Sequence, residues 1–122
     1  MTKPLALVVE DNEMLASFFT TTFEDTGYAV TAAQTGAEAF AYLENHIPLV
    51  ALLDLNLPDV SGEGILSFIR SQQRFASTWV LAASVEGTRV GFLEQQADFV
   101  LTKPVSYRQL SQMIERLKKA NR

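Results

Sequence analysis

Cysteine is absent from this 122-residue sequence, which excludes disulfides and thiolate metal sites and fits a cytoplasmic setting. Basic residues are the minority. Ten Lys and Arg face 14 Asp and Glu, and the net charge of −4 repels a phosphate backbone, so direct nucleic-acid binding is not expected. The one basic cluster, Arg116-Leu-Lys-Lys-Ala-Asn-Arg122, closes the chain, where cations complement the negative end of a last helix. Long hydrophobic runs are missing too: no stretch approaches the roughly 20 residues that span a bilayer, and the opening segment meets Glu10 too soon for a signal peptide. Repeats, linkers and low-complexity segments are also lacking. What is there is 48% hydrophobic and 20% charged, the composition of one folded unit, and we expect a single domain over residues 1–122 with no membrane partner.

The hydrophobic residues come in short alternating blocks. Leu5-Ala-Leu-Val-Val9 is a continuous apolar run, as in a strand covered on both faces, and it stops at Glu10-Asp11-Asn12. Glu13 to Asp25 places Leu15, Phe18, Phe19 and Phe23 at helical spacing, with Asn12 as N-cap and Gly27 as stop. Tyr28 to Ala33 reads as a strand, and Ala37 to Asn45 as a helix with Ala39, Phe40 and Leu43 inward. Leu49 to Leu53 reads as a third strand, ending at Asp54, and Glu63 to Ser71 as a third helix. Trp79 to Ala83 and Phe99 to Leu101 supply strands four and five. A short helix is expected around Arg89 to Gln95 and a last one over Ser106 to Lys119.

Five strands alternating with five helices imply an α/β, doubly wound, flavodoxin-like parallel sheet of order 2-1-3-4-5. In such sheets ligands bind beyond the carboxyl ends of the strands. Glu10, Asp11, Asp54, Ser84 and Lys103 all fall just past such ends. Two carboxylates about 5 Å apart repel by roughly 3 kcal/mol at an effective dielectric near 20, so three in one place call for a cation. Mg2+ suits them, because it takes one or two carboxylates, keeps waters and leaves room for phosphate oxygens. Lys103 adds a fixed positive charge able to pair with Asp54 or with an incoming anion.

Val8-Val-Glu-Asp-Asn12, Leu52-Leu-Asp-Leu-Asn-Leu-Pro-Asp-Val-Ser-Gly62 and Leu101-Thr-Lys-Pro104 resemble the receiver domains of bacterial response regulators, and the likeness covers essentially the whole chain. The resemblance implies that Asp54 is a phosphoacceptor served by a histidine kinase or a histidine phosphotransfer protein. It implies that Asp11 and the Asn56 backbone carbonyl are direct Mg2+ ligands alongside Asp54, that Glu10 acts through water, and that Lys103 pairs with the phosphoryl group. Pro58 would shape the loop, the Lys103-Pro104 bond is cis in many relatives, and the Asn56 side chain lies where relatives tune hydrolysis. The chain would be a signalling domain, catalysing only its own phosphorylation and dephosphorylation, with an unknown downstream protein or output domain.

Two departures from the pattern stand out. The hydroxyl residue that usually ends strand four falls on Ala83 or Ser84, and Ser84 is chosen because it carries the hydroxyl. The aromatic residue usual three positions before the lysine is replaced by Val100, with Phe99 expected on the opposite face. With these departures, and a short Ser84 to Lys103 stretch, the alternative is a degenerate receiver that binds a protein without phosphorylation. A phosphatase with an aspartyl-phosphate intermediate would want an acid where Asn56 stands. A flavin carrier would meet repulsion from Glu10-Asp11. Trp79 and His46 read as structural.

Overall fold

In the computed structural model, which describes residues 2–55, 57, 62–85 and 96–120, each apolar block becomes one layer-forming element. The order is β1 (Leu5–Val9), α1 (Glu13–Asp25), β2 (Ala29–Ala33), α2 (Gly36–Asn45), β3 (Val50–Asp54), α3 (Gly62–Ser71), a 3-10 turn (Gln73–Phe75), β4 (Trp79–Val85), β5 (Phe99–Lys103) and α4 (Tyr107–Lys119). All strands run parallel in the order β2-β1-β3-β4-β5, as the alternation of elements predicted.

The core lies on both sides of this sheet, because successive residues of a strand face opposite ways. Ala6 and Val8 of β1, Val50 and Leu52 of β3, and Leu81 and Ala83 of β4 pack against Phe19 and Phe23 of α1 and Leu110, Ile114 and Leu117 of α4. The interleaved Leu7, Val9, Ala51, Leu53, Val80 and Ala82 pack against Ala39 and Leu43 of α2 and Ile65, Leu66 and Ile69 of α3. Each large apolar side chain so buried contributes about 1.5–3 kcal/mol, and the central strands contribute on both faces.

Several element ends differ from the sequence expectation. The helix before β2 closes with Thr26 as cap and Gly27 at φ 94°, and the Tyr28 N–H donates to Phe23 O at 3.0 Å, so Tyr28 belongs to the turn and β2 starts at Ala29. β3, β4 and β5 run past their expected ends at Leu53, Ala83 and Leu101, because main-chain pairing continues through Asp54↔Ala83, Ser84↔Thr102 and Val85↔Lys103. Asp54 and Lys103 are therefore the end residues of their strands, and Ser84 the last but one of β4, rather than loop residues. Four α-helices and one 3-10 turn stand among the described residues, against the five helices expected; the helix expected at Arg89 to Gln95 lies outside the described residues.

Phe99 and Val100 do face opposite ways. Val100 packs on the α2–α3 cluster, whereas Phe99 is 39% exposed, its ring centroid 6.3 Å from that of Trp79 beside α4. His46 stacks on Tyr42 at 4.4 Å, with its Nδ1 3.0 Å from Tyr42 O.

Candidate functional site

The ends of β1, β3 and β5 meet at one edge of the sheet, and charged residues occupy all three. The Glu10 N–H donates to Ala33 O at 3.0 Å, which adds a rung between β1 and β2 and holds Glu10 in place. The turn that follows is closed by side chains. Glu10 Oε2 accepts from the Asn12 N–H at 3.2 Å, and Asn12 Oδ1 accepts from the Leu15 N–H at 3.0 Å, capping α1 as expected. Asp11 sits between them, exposed.

Asp54 ends β3 in register with Ala83, and the Leu55 N–H donates to Ala83 O at 3.1 Å. Glu10 and Asp54 are 1% and 2% exposed. One carboxylate oxygen from each of Glu10, Asp11 and Asp54 lies within 4.8 Å of the others. At such a separation each pair of full charges repels by roughly 3 kcal/mol for an effective dielectric near 20.

Lys103 answers part of this charge. Its Nζ stands 3.0 Å from Glu10 Oε1 and 3.2 Å from Asp54 Oδ1. Burial of Glu10 raises its carboxyl pKa, and the charge of Asp54 pushes the same way, against hydrogen bonds from Lys103 and the Asn12 N–H. Burial alone would lower the Lys103 ammonium, but its hydrogen bond to Glu10 and the charges of Asp54 and Glu10 outweigh that, so its pKa is raised. Three carboxylates around one ammonium still leave negative charge in surplus, and the donors are hard oxygens. This set fits Mg2+, which takes one or two carboxylates directly and keeps several waters.

The structure thus brings Glu10, Asp11, Asp54 and Lys103 together. Sequence reasoning paired Lys103 with Asp54 and missed Glu10 as its closer partner; the signal available was that a buried acid beside a lysine's strand end needs a countercharge. Ser84, 3% exposed, lies one residue beyond the Ala83 that registers with Asp54, and by alternation it shares the face of Val80 and Ala82 on which Val100 also packs. The Lys103–Pro104 peptide bond is cis. Asn56 and Pro58 lie outside the described residues.

The profile of the response regulator receiver domain matches residues 6–115. The chain belongs to that family. This receiver domain is 35% identical over 117 residues to the virulence transcriptional regulatory protein PhoP of Salmonella typhimurium, a match covering 94% of the chain and 52% of PhoP. It is 34% identical over 116 residues to the transcriptional regulatory protein PhoP of Escherichia coli K12, with the same coverage. The chain spans about half the length of the curated relatives it matches.

Among solved structures it superposes on the CheY-like receiver domain from Methylobacillus flagellatus with a TM-score of 0.85 at 25% identity, covering 95% of this chain and 99% of that one. The chemotaxis response regulator CheY4 of Vibrio cholerae gives 0.84 at 26%, again with 95% and 99% covered. The acidic cluster with its lysine is therefore the charged edge of a receiver domain of two-component signalling. Among the described residues, no helix is long and apolar enough to cross a membrane.

Proposed function

We propose that this receiver domain takes a phosphoryl group on Asp54 from a histidine kinase or a histidine phosphotransfer protein, and that the modification alters its interaction with a downstream protein or output domain. The observation that carries the reading is the Lys103 ammonium 3.2 Å from Asp54 Oδ1, inside a cluster whose three carboxylates have oxygens within 4.8 Å.

An Asp54 oxygen attacks phosphorus in line; the P–O bond forms as the P–N bond to the donor imidazole breaks, and the electron pair leaves with the imidazole. The Lys103 ammonium turns from the Asp54 oxygen to a phosphoryl oxygen and neutralises the charge that gathers there. Mg2+, when bound, would supply positive charge that offsets the charge on the phosphoryl oxygens. Asp11 and Asp54 would hold it directly, with the Asn56 carbonyl, and Glu10 through water. Ser84, next to last in β4, would donate its hydroxyl to a phosphoryl oxygen. Attack by water on the aspartyl phosphate resets the domain, with the Asn56 side chain placed to tune it. The domain works in the cytoplasm.

Acetyl phosphate with Mg2+ should add one phosphoryl group, read by intact mass, and Asp54→Asn should abolish it. A wild-type chain left unmodified, and unresponsive to beryllium fluoride, would instead support a receiver that binds its partner unphosphorylated, the reading favoured by Val100 in place of an aromatic ring.

A further inference from the structure

We propose that Gly62 is a positioning residue for Asp54: the first residue of α3 is docked so closely on the Asp54–Leu55 main chain that only a glycine leaves the acceptor in place. The inference rests on the reading of Asp54 as phosphoacceptor. A Cβ at Gly62 would stand 2.2 Å from Asp54 O, 2.7 Å from Leu55 Cα and 2.9 Å from the Asp54 carbonyl carbon. All three are backbone atoms, which cannot swing aside as a flexible side chain does. The glycine is needed for space and not for backbone conformation, since Gly27 is the residue with a positive φ among those described.

The helix is firmly anchored, so the strain falls on the strand end. Ile65, Leu66 and Ile69 anchor α3 at 0–1% exposure, and the Arg70 guanidinium at its far end donates to Gln96 O (2.7 Å) and Thr78 O (3.3 Å) and pairs with Asp98 (2.5 Å). Asp54 is the last residue of β3, and the final rungs of the sheet, including Leu55 N–H to Ala83 O, hold it to β4. A methyl group at position 62 therefore displaces the Asp54–Leu55 peptide by about 1 Å, the amount that restores ordinary van der Waals contact, and the Asp54 carboxylate moves with it. A misplacement of about 1 Å costs an in-line reaction on the order of 100-fold.

The test compares wild type, Gly62→Ala, Gly64→Ala and the double variant, because alanine at the exposed helical Gly64 favours the helix and restores stability without touching Asp54. Three quantities are read: the urea midpoint, the exchange rate of the Leu55 amide by NMR without metal, and the rate of phosphorylation from acetyl phosphate. The expected result is that Gly62→Ala speeds Leu55 exchange about tenfold, the loss of roughly one hydrogen bond, and slows phosphorylation about 100-fold. The double variant should regain the midpoint but neither of the other two. Recovery of phosphorylation together with stability, or unchanged Leu55 exchange in both variants, would overturn the proposal. A wild type that takes no phosphoryl group while Leu55 exchange still responds to Gly62→Ala sinks the acceptor reading and upholds the contact.

Discussion

Lys103 Nζ and Glu10 Oε1 stand 3.0 Å apart, which joins the ends of β5 and β1 and gives the lysine a nearer partner than Asp54. The lysine holds both acids, but it does not fully offset the burial of Glu10, whose pKa remains raised. A group whose folded pKa is raised contributes stability that is fully present below its unfolded pKa and lost as pH rises through the folded value. Ionisation of Glu10 therefore weakens the metal-free fold as pH climbs above the unfolded value of 4.5. In chelator at about pH 7, Glu10→Gln should unfold at higher urea than wild type, and the gap should close at about pH 4, where wild-type Glu10 is protonated in both states. Equal midpoints at neutral pH would refute the idea.

Asp11 differs from its two neighbours in being exposed, so its replacement has little structural cost. Its carboxylate contributes repulsion in the absence of metal, and under the proposed reading it would contribute ligation in its presence. At a Mg2+ concentration about 100 times the wild-type Kd, the wild-type fold should gain about 2.7 kcal/mol. Asp11→Asn should gain almost nothing at that concentration while matching or exceeding wild type in chelator. Thermal unfolding with and without Mg2+ reads both effects, and an equal Mg2+ response in the two proteins would remove Asp11 from the ligand set.

The parts of this architecture visible in the sequence are those governed by local pattern. β1 and α1 could be bounded at Leu5–Val9 and Glu13–Asp25 because an apolar run ends abruptly at charge and Asn12 caps the helix. Asp54, Ser84 and Lys103 looked like loop residues because polarity breaks the apolar run, while main-chain pairing, which ignores side-chain polarity, carries each strand through them. The Gln73–Phe75 turn is too short to display a period, although Phe75 is fully buried. The gathering of acids was legible from fold topology alone. That Lys103 leans on Glu10, and that Gly62 abuts the Asp54 carbonyl, depend on side-chain reach and backbone clearance, which spacing does not encode.

Arg70 fastens α3 to the residues just before β4 and β5 through three polar contacts. It donates to Gln96 O and Thr78 O and pairs with Asp98 Oδ2 at 2.5 Å, an oxygen that also accepts the Val80 N–H at 2.7 Å. Both side chains are largely buried, 22% and 14% exposed, so salt screens the pair only weakly. Arg70→Met keeps the aliphatic stem but leaves the Asp98 charge without its guanidinium. We expect a loss of about 2–4 kcal/mol with an unchanged denaturant slope, read by urea unfolding. A loss under about 0.5 kcal/mol would place the pair with ordinary surface ion pairs.

All three tyrosines are held against ionisation, each for its own reason. Burial raises Tyr28, whose hydroxyl donates to Ile114 O at 2.6 Å and so stitches α4 to the turn before β2. Burial alone raises Tyr42. Tyr107, 47% exposed, is raised first by the hydrogen bond it donates to Asp25 Oδ2 at 3.0 Å, a contact between α4 and the end of α1. Because the folded values lie above the unfolded 10.0, these groups contribute stability that is complete below about pH 10 and lost as pH rises through the folded values. Tyrosinate absorbance should therefore lag behind that of a model peptide near pH 10 and then rise steeply with loss of the circular dichroism signal. Tyr107→Phe should remove the earliest part of the rise and leave the steep part, since Tyr28 and Tyr42 ionise only as the core opens. Three independent titrations near pH 10 in a protein that keeps its native spectrum would contradict both the burial of Tyr28 and Tyr42 and the Tyr107–Asp25 bond.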